Sequence, residues 1–419
     1  MSVRSKASIA HPTLDELIKQ GHFIRYSGLS VASQASSFEL PEGDTVPIKS
    51  ALDSRLQPYQ QNGIANAAWA CGADKLWREG YLGTGTVIGI IDNGCDLTAE
   101  PLQVCPDGRK KILSYYKDLK TTIEDYDEVY RNGSTGTPAL WHGTSVASIA
   151  AGYSKDGYKG VAPGAQLRIY ETLVDIEVAA LLERPQDIIT IANNNWTRCI
   201  YKAVNEGCDI INCSFTAYID SPTSPILNLL GPFAKALQYA KKRGVLVCVA
   251  AGNQGLYEDL NGVQIYDVFG VLTGGLSVAA ASVDMDTGDI VRAAYSAYNN
   301  TVDIMAVGDS CLVYTNNSLV PDDDSTFAES LRTKLGPNFQ QTRYMPMNGT
   351  SFASPTVAGF AALLRNRWLK QNGFSQFYSM PGETLREIIV ANTIDIFAEN
   401  RDIQSGYGFA TILDEPRVR

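Results

Sequence analysis

The chain has 419 residues, is 45% hydrophobic and carries a formal net charge of −10, which suits one large α/β domain with room for extensions. The acidic balance argues against a nonspecific nucleic-acid binder, which needs basic patches, and no run of about 18 apolar residues marks a membrane span. Met1 is followed by polar, mildly basic residues instead of an apolar signal core, so a secretory signal is not expected and the cytoplasm is the expected location. Of the eight cysteines, Cys208, Cys213 and Cys248 lie in or beside apolar strands, and no C-x-x-C pair occurs. They read as reduced, core-packing thiols, and Cys95 is read the same way.

Residues 1 to about 65 hold Ser, Gly, Pro and Gln clusters without a sustained period. In that stretch only Thr13 to Gln20 predicts a short helix, capped by Thr13 with Glu16 three residues on. From there strands and helices alternate. Val87–Asp92 is a continuous apolar run that ends in Asp92-Asn93-Gly94. Such a run predicts a buried parallel strand with a carboxylate at its C-terminal end, where open α/β sheets gather ligands. Alone, Asp-Asn-Gly is more readily a turn-former or helix cap than a catalytic site. The segment Pro106 to Leu140 is long, and its acidic run Glu124–Glu128 reads as a solvated loop.

Next comes a small-residue helix, His142–Ala151, which Gly152 closes. His142 is one of three histidines. A lone histidine is often a satisfied core residue, yet this one is best placed to serve as a general base. Gln166–Thr172 predicts a strand, Ile188–Asn205 a helix and Asp209–Ser214 a strand. In the helix Leu229–Arg243, Leu230, Phe233, Leu237 and Ala240 keep helical spacing, and Lys241-Lys242-Arg243-Gly244 ends it with favourable charge and a glycine. The strands Val245–Ala251, Leu276–Ala281 and Val302–Ala306 follow. A second long segment, Cys311 to Met345, carries the acidic Asp322-Asp323-Asp324.

The last predicted helices are Ser351–Leu369 and Gly382–Asn392. Ser351 follows Gly349 and Thr350 at a helix start, where unpaired N–H groups favour an anion. Pro355 lacks the N–H that would bond the Ser351 carbonyl, so this first turn is unusual. The alternation as a whole predicts a mostly parallel central sheet with helices on both faces.

Three of these segments, Thr86–Asp96, Trp141–Gly152 and Asn348–Pro355, hold Asp92, His142 and Ser351 in the order found in the subtilisin-like serine proteases, the subtilases, and resemble them. Further matches are Val161-Ala162-Pro163-Gly164-Ala165, Asp209–Ser214, the Val249–Gly255 segment around Asn253, and Ser405-Gly406-Tyr407-Gly408. The resemblance spans about Ala67 to Ile412 and points toward the intracellular members. It implies a peptidase domain over 66–415, with insertions near 106–140 and 311–345, and a regulatory or pro-segment extension over 1–65.

By that resemblance, Ser351 is the nucleophile, His142 its base and Asp92 the group that orients the imidazole. Asn253 and the Ser351 N–H would form the oxyanion hole. Ser214, Phe215 and Thr216 on one side, with Ala250, Ala251 and Gly252 on the other, would flank the substrate. The family usually carries glycine where this chain has Thr216, which alters the rim of the primary specificity pocket. The loop Tyr153 to Tyr158 is shorter than the calcium-binding loop of many members, so calcium is not expected there; no cofactor is expected, and a structural calcium elsewhere is possible but not indicated. The expected function is that of a serine endopeptidase acting on peptide or protein substrates, with no nucleic-acid or membrane partner. A dedicated maturation protease or macrocyclase, and a catalytically silent binding module, are the alternatives. The N-terminal extension is expected to restrain the active site, not to template the fold.

Overall fold

The computed structural model describes residues 12–27, 66–120, 140–155, 157–172, 185–253, 265–284, 288–315 and 344–413. The acidic runs Glu124–Glu128 and Asp322–Asp324 lie outside these residues. In chain order the strands are β1 (Ile24–Ser27), β2 (Val87–Asp92), β3 (Ile112–Asp118), β4 (Gln166–Thr172), β5 (Ile210–Cys213), β6 (Thr216–Ile219), β7 (Leu246–Ala250) and β8 (Tyr266–Asp267). They continue with β9 (Leu276–Val283), β10 (Ile290–Arg292), β11 (Ile304–Val307), β12 (Cys311–Tyr314), β13 (Tyr344–Met347), β14 (Thr393–Ile394) and β15 (Phe409–Ala410).

One sheet runs β14-β15-β11-β9-β7-β5-β2-β4-β3, with β10 added on β9. Its pairs from β3 to β15 are parallel, and β14 and β10 attach antiparallel. The continuous apolar runs follow from this placement, because helices cover both faces and neither side of a central strand meets water. Ile88 and Ile90 enter one hydrophobic core and Ile91 the other, as the two-residue alternation of a strand requires. The first core holds the helices Trp141–Ala151 and Thr350–Gln371, and the second holds Gly231–Lys242.

The predicted helix over 188–205 is present but interrupted. Pro185–Ile191 and Thr197–Asn205 are joined by a π-helical turn, Ala192–Trp196. That turn places Trp196 against Phe215, Phe233 and Phe269, with ring centroids 4.8, 5.8 and 6.1 Å away.

The long segment after Asp92 supplies β3, the edge strand of the main sheet beside β4. The strand was not legible because its pattern mixes exposed Leu113, half-buried tyrosines and charged Lys117 and Asp118. Asp118 is buried because Arg198 meets both its oxygens, at 2.6 and 3.0 Å. The ends of the second long segment pair as an antiparallel ribbon, β12 with β13, which leads directly into the Ser351 loop.

Near the N-terminus the helix Leu14–Lys19 carries the capping box read from Thr13 and Glu16. After it β1 pairs antiparallel with β6, whose other edge is taken by β8. Leu17 and Ile24 are buried in the second core, and His22 Nδ1 lies 2.7 Å from Asp220 Oδ2. Among the described residues no helix is long and apolar enough to cross a membrane.

Candidate active site

The sheet order places β2 between β5 and β4, so the chain leaves β2 toward opposite sides in successive halves. A crevice opens at such a switch point beyond the C-terminal strand ends. Asp92 closes β2, Ser214 follows β5 and Gly252-Asn253 follows β7. The register Ile91↔Cys213 and Cys213↔Val249 brings these three strand ends to one level.

Asp92 is fully buried and His142 is 2% exposed. Asp92 Oδ1 accepts from His142 Nδ1 at 2.8 Å and from the Asn93 N–H at 2.8 Å. This contact fixes the imidazole so that Nε2 points away from the carboxylate. Among the described residues, Nε2 has no hydrogen-bond partner. The ring packs near Trp141, edge-on at 5.4 Å, and near Phe352 at 5.8 Å, the residue after Ser351. The helix that carries His142 docks closely on the loop after Asp92. Asn93 Oδ1 accepts from the Gly143 N–H at 3.1 Å, and Thr144 Oγ1 accepts from the Asp96 N–H at 2.8 Å. A Cβ added at Gly143 would overlap the Gly94 carbonyl, so glycine is needed there for this approach.

Ser351 is the second residue of the helix Thr350–Gln371 and is 7% exposed. Its Oγ donates to the Ser214 carbonyl at 3.1 Å. In return Ser214 Oγ donates to the Ser351 carbonyl at 2.7 Å. That carbonyl is the one Pro355 leaves without its helical donor, so Ser214 completes the unusual first turn. Asn212 Nδ2 donates to Ser214 Oγ at 2.9 Å, and Ser354 Oγ donates to Asn212 Oδ1 at 2.7 Å, which ties β5 to the helix.

Asn253 is anchored by its carbonyl end. The Thr350 N–H and Oγ–H both donate to Asn253 Oδ1, at 2.8 and 2.9 Å, and Thr350 Oγ1 accepts from the Gly252 N–H at 3.0 Å. With Oδ1 occupied, Nδ2 is the end of the amide left to donate. Ala250 and Ala251 are buried in the strand end that leads to it.

Ser214 therefore reaches Ser351 directly, while Phe215 and Thr216 do not meet it through their side chains. Phe215 packs on Trp196 and Phe269 in the core, and Thr216 Oγ1 bonds the Asp267 carboxylate. Asp267 also caps the short helix Val268–Val271, accepting from the Phe269 and Gly270 N–H groups, and burial pushes its carboxyl up to about 6.

Sequence reasoning missed several residues that hold the site. Tyr295 Oη accepts from the Gly349 N–H at 2.9 Å and donates to the Gly308 carbonyl at 2.7 Å, which pins the loop before Ser351. Tyr115 Oη donates to Glu171 Oε2 at 2.6 Å beside the loop after Asp92. Both tyrosines are far from these loops in sequence and carry no motif. All eight cysteines are buried and unpaired. Cys95 packs in the core, where burial pushes its thiol up to about 12 and disfavours the thiolate a nucleophile needs. Among the described residues no group of three or more His, Cys, Asp or Glu side chains could hold a metal.

Comparison with known proteins places this geometry in context. The Subtilase family profile matches residues 83–409. A probable subtilase-type serine protease of Deinococcus radiodurans is 28% identical over 305 residues, covering 70% of this chain but only 35% of that protein. The major intracellular serine protease of Bacillus subtilis is 28% identical over 299 residues, covering 70% of this chain and 72% of that one. Among solved structures, a lanthipeptide protease superposes with a TM-score of 0.59 at 20% identity, over 85% of this chain and 94% of its own, a likeness of fold. With most of its length matched by the family profile and its fold shared, this chain belongs to the subtilase family.

Proposed function

We propose that the protein is a cytoplasmic serine endopeptidase that cleaves peptide bonds through Asp92, His142 and Ser351. The observation that carries this reading is the buried Asp92–His142 pair, whose Nε2 has no partner among the described residues and whose ring touches Phe352 at the serine helix. Turning the Ser351 side chain from the Ser214 carbonyl toward Nε2 sets up proton transfer, and hydrogen bonds of this kind often tighten only when substrate binds.

As Ser351 Oγ attacks the scissile carbonyl carbon, its proton passes to His142 Nε2. The new oxyanion is held by Asn253 Nδ2 and the Ser351 N–H. His142 then protonates the leaving amine, and an acyl-enzyme remains. Water attacks that ester with His142 as base, which releases the acid and restores the serine. Asp92 holds the tautomer and stabilises the imidazolium.

Kinetics on a peptide panel test the oxyanion assignment. Asn253→Ala is expected to lower kcat by about 10²–10³ with little change in KM, because the donor acts on charge formed in the transition state. Thr350→Val, which removes the hydroxyl that anchors Asn253, should lower kcat by about tenfold, and Thr350→Ser should restore it. A rise in KM at constant kcat for Asn253→Ala would show a binding role instead.

The N-terminal extension, residues 1–65, is proposed to restrain the site in front of the peptidase domain over 66–415. Support comes from β1, which lies on the edge of β6 just downstream of Ser214. A chain beginning near Gln60 is expected to fold and to cleave small peptides faster than the full chain. It should also lose about 3–6 kcal/mol of stability, since Leu17 and Ile24 no longer fill the second core. Denaturant unfolding alongside peptide kinetics measures both effects, and an unchanged midpoint with unchanged activity would remove any role for the segment.

A dedicated maturation protease or macrocyclase is the second reading, with which the fold shared with the lanthipeptide protease is compatible. General cleavage across the panel favours the endopeptidase. Silence on the panel together with intact active-site labelling favours the dedicated enzyme.

A further inference from the structure

Tyr218 lies on β6, the strand that follows Ser214. β6 is the centre of a three-stranded sheet, and Tyr218 is held opposite Arg25 of β1 on one side and Asp267 of β8 on the other. Two-residue alternation sends Phe215, Ala217 and Ile219 into the second core. It sends Ser214, Thr216 and Tyr218 the opposite way. Ser214 reaches the Ser351 carbonyl, Thr216 reaches Asp267, and the phenol end of Tyr218 comes to rest against Gly252. A Cβ built on Gly252 would lie 2.6 Å from Tyr218 Cε1 and nearer still to Cζ and Oη. Gly252 has φ +111° and precedes Asn253, and Tyr218 is 2% exposed.

By the resemblance to the subtilases, a peptide with its carbonyl carbon at Ser351 Oγ and its oxygen at Asn253 would direct its acyl-side residue between two segments. These are Ser214–Thr216 and Ala250–Gly252. Gly252 has no side chain on that path, and the Tyr218 phenol lies directly against it. Thr216 adds a side chain on the same face. We propose that Tyr218 is a specificity-determining residue that closes this slot, so that the enzyme accepts glycine, alanine or serine on the acyl side and rejects leucine and aromatic residues. The proposal rests on the serine-protease reading above. Because β6 is hydrogen-bonded on both edges, its backbone cannot easily move aside, and only a change in the tyrosine side chain itself can open the slot.

Peptidyl diphenyl phosphonates that carry an alanine or a phenylalanine side chain next to phosphorus test the slot on the full chain. A small alkyl fluorophosphonate, which makes no demand on the slot, serves as a count of competent Ser351. The wild type should react with the alanine reagent faster than with the phenylalanine reagent by about a hundredfold. Tyr218→Ala should reduce that ratio by about tenfold or more, through faster reaction with the phenylalanine reagent. Tyr218→Leu, which keeps an apolar body in the strand, should shift it the same way by less and carries the comparison if the alanine variant does not fold. Tyr218→Phe should keep the wild-type preference. Equal rates with both reagents in the wild type, or a ratio unmoved in the competent variants, would overturn the role of Tyr218. If the small fluorophosphonate does not label the wild type, the serine-protease reading itself fails.

Discussion

Replacing Ser351 with alanine is expected to lower kcat by about 10⁶ while leaving thermal stability nearly unchanged. Among the described residues the hydroxyl donates only to the Ser214 carbonyl, and its removal leaves no buried donor without a partner there. The contact that stabilises the helix start, Ser214 Oγ to the Ser351 carbonyl, belongs to the backbone and survives the change. Residual turnover of about 10³–10⁴ over water should remain, from the Asn253 amide and from binding. Intact-mass analysis after treatment with a fluorophosphonate checks the assignment directly. One adduct at Ser351 in the wild type and none in the variant is the expected result. Labelling elsewhere, or activity abolished by a thiol reagent alone, would disprove it. Burial of Cys95 and the other cysteines already weighs against a thiol nucleophile.

Asp92→Asn is expected to lower kcat by about 10⁴. If the new amide turns its NH2 toward His142 Nδ1, the imidazole must carry its proton on Nε2 and cannot accept one from Ser351. If instead it keeps its oxygen where Asp92 Oδ1 accepts from His142 and the Asn93 N–H, the NH2 enters the fully buried Oδ2 position. Among the described residues that position has no hydrogen-bond partner. In either orientation the charge that balances the imidazolium is gone. Rates corrected by active-site titration separate loss of turnover from loss of folded enzyme. A decrease smaller than about tenfold would mean that the Asp92–His142 pair is a structural contact and not part of the reaction.

The elements that carry the site were legible because their signals are local. An apolar run closed by Asp92 becomes β2 over the stretch expected, Val87–Asp92. The small-residue stretch around His142 becomes a helix one residue longer at its start, Trp141–Ala151. The helix of Ser351 begins at Thr350 and extends to Gln371. Strands buried on both faces and helices with distinct ends write themselves into consecutive residues, so one sequence suffices. β3 was hidden because an edge strand is only half buried and its pattern is broken by polar residues. β1 and β6 were hidden because short strands in a small sheet carry too few residues for a period to show.

By itself the sequence determined the type and order of the chemical groups, the alternating α/β architecture and the helical start beneath Ser351. The tertiary structure alone decided which atoms meet. Ser214 supplies the hydrogen bond that Pro355 removes across 137 residues of chain, and Thr350 orients Asn253 across 97. The β6 register likewise sets the Tyr218 phenol against Gly252, and no local pattern of residues announces it. Contacts of this range depend on the order and twist of strands in a sheet, and on which face each side chain takes once the register is set. A shift of one residue would exchange every side chain of β6 between core and cleft. Consecutive residues determine what a segment can become, but only the packed sheet determines what stands opposite it.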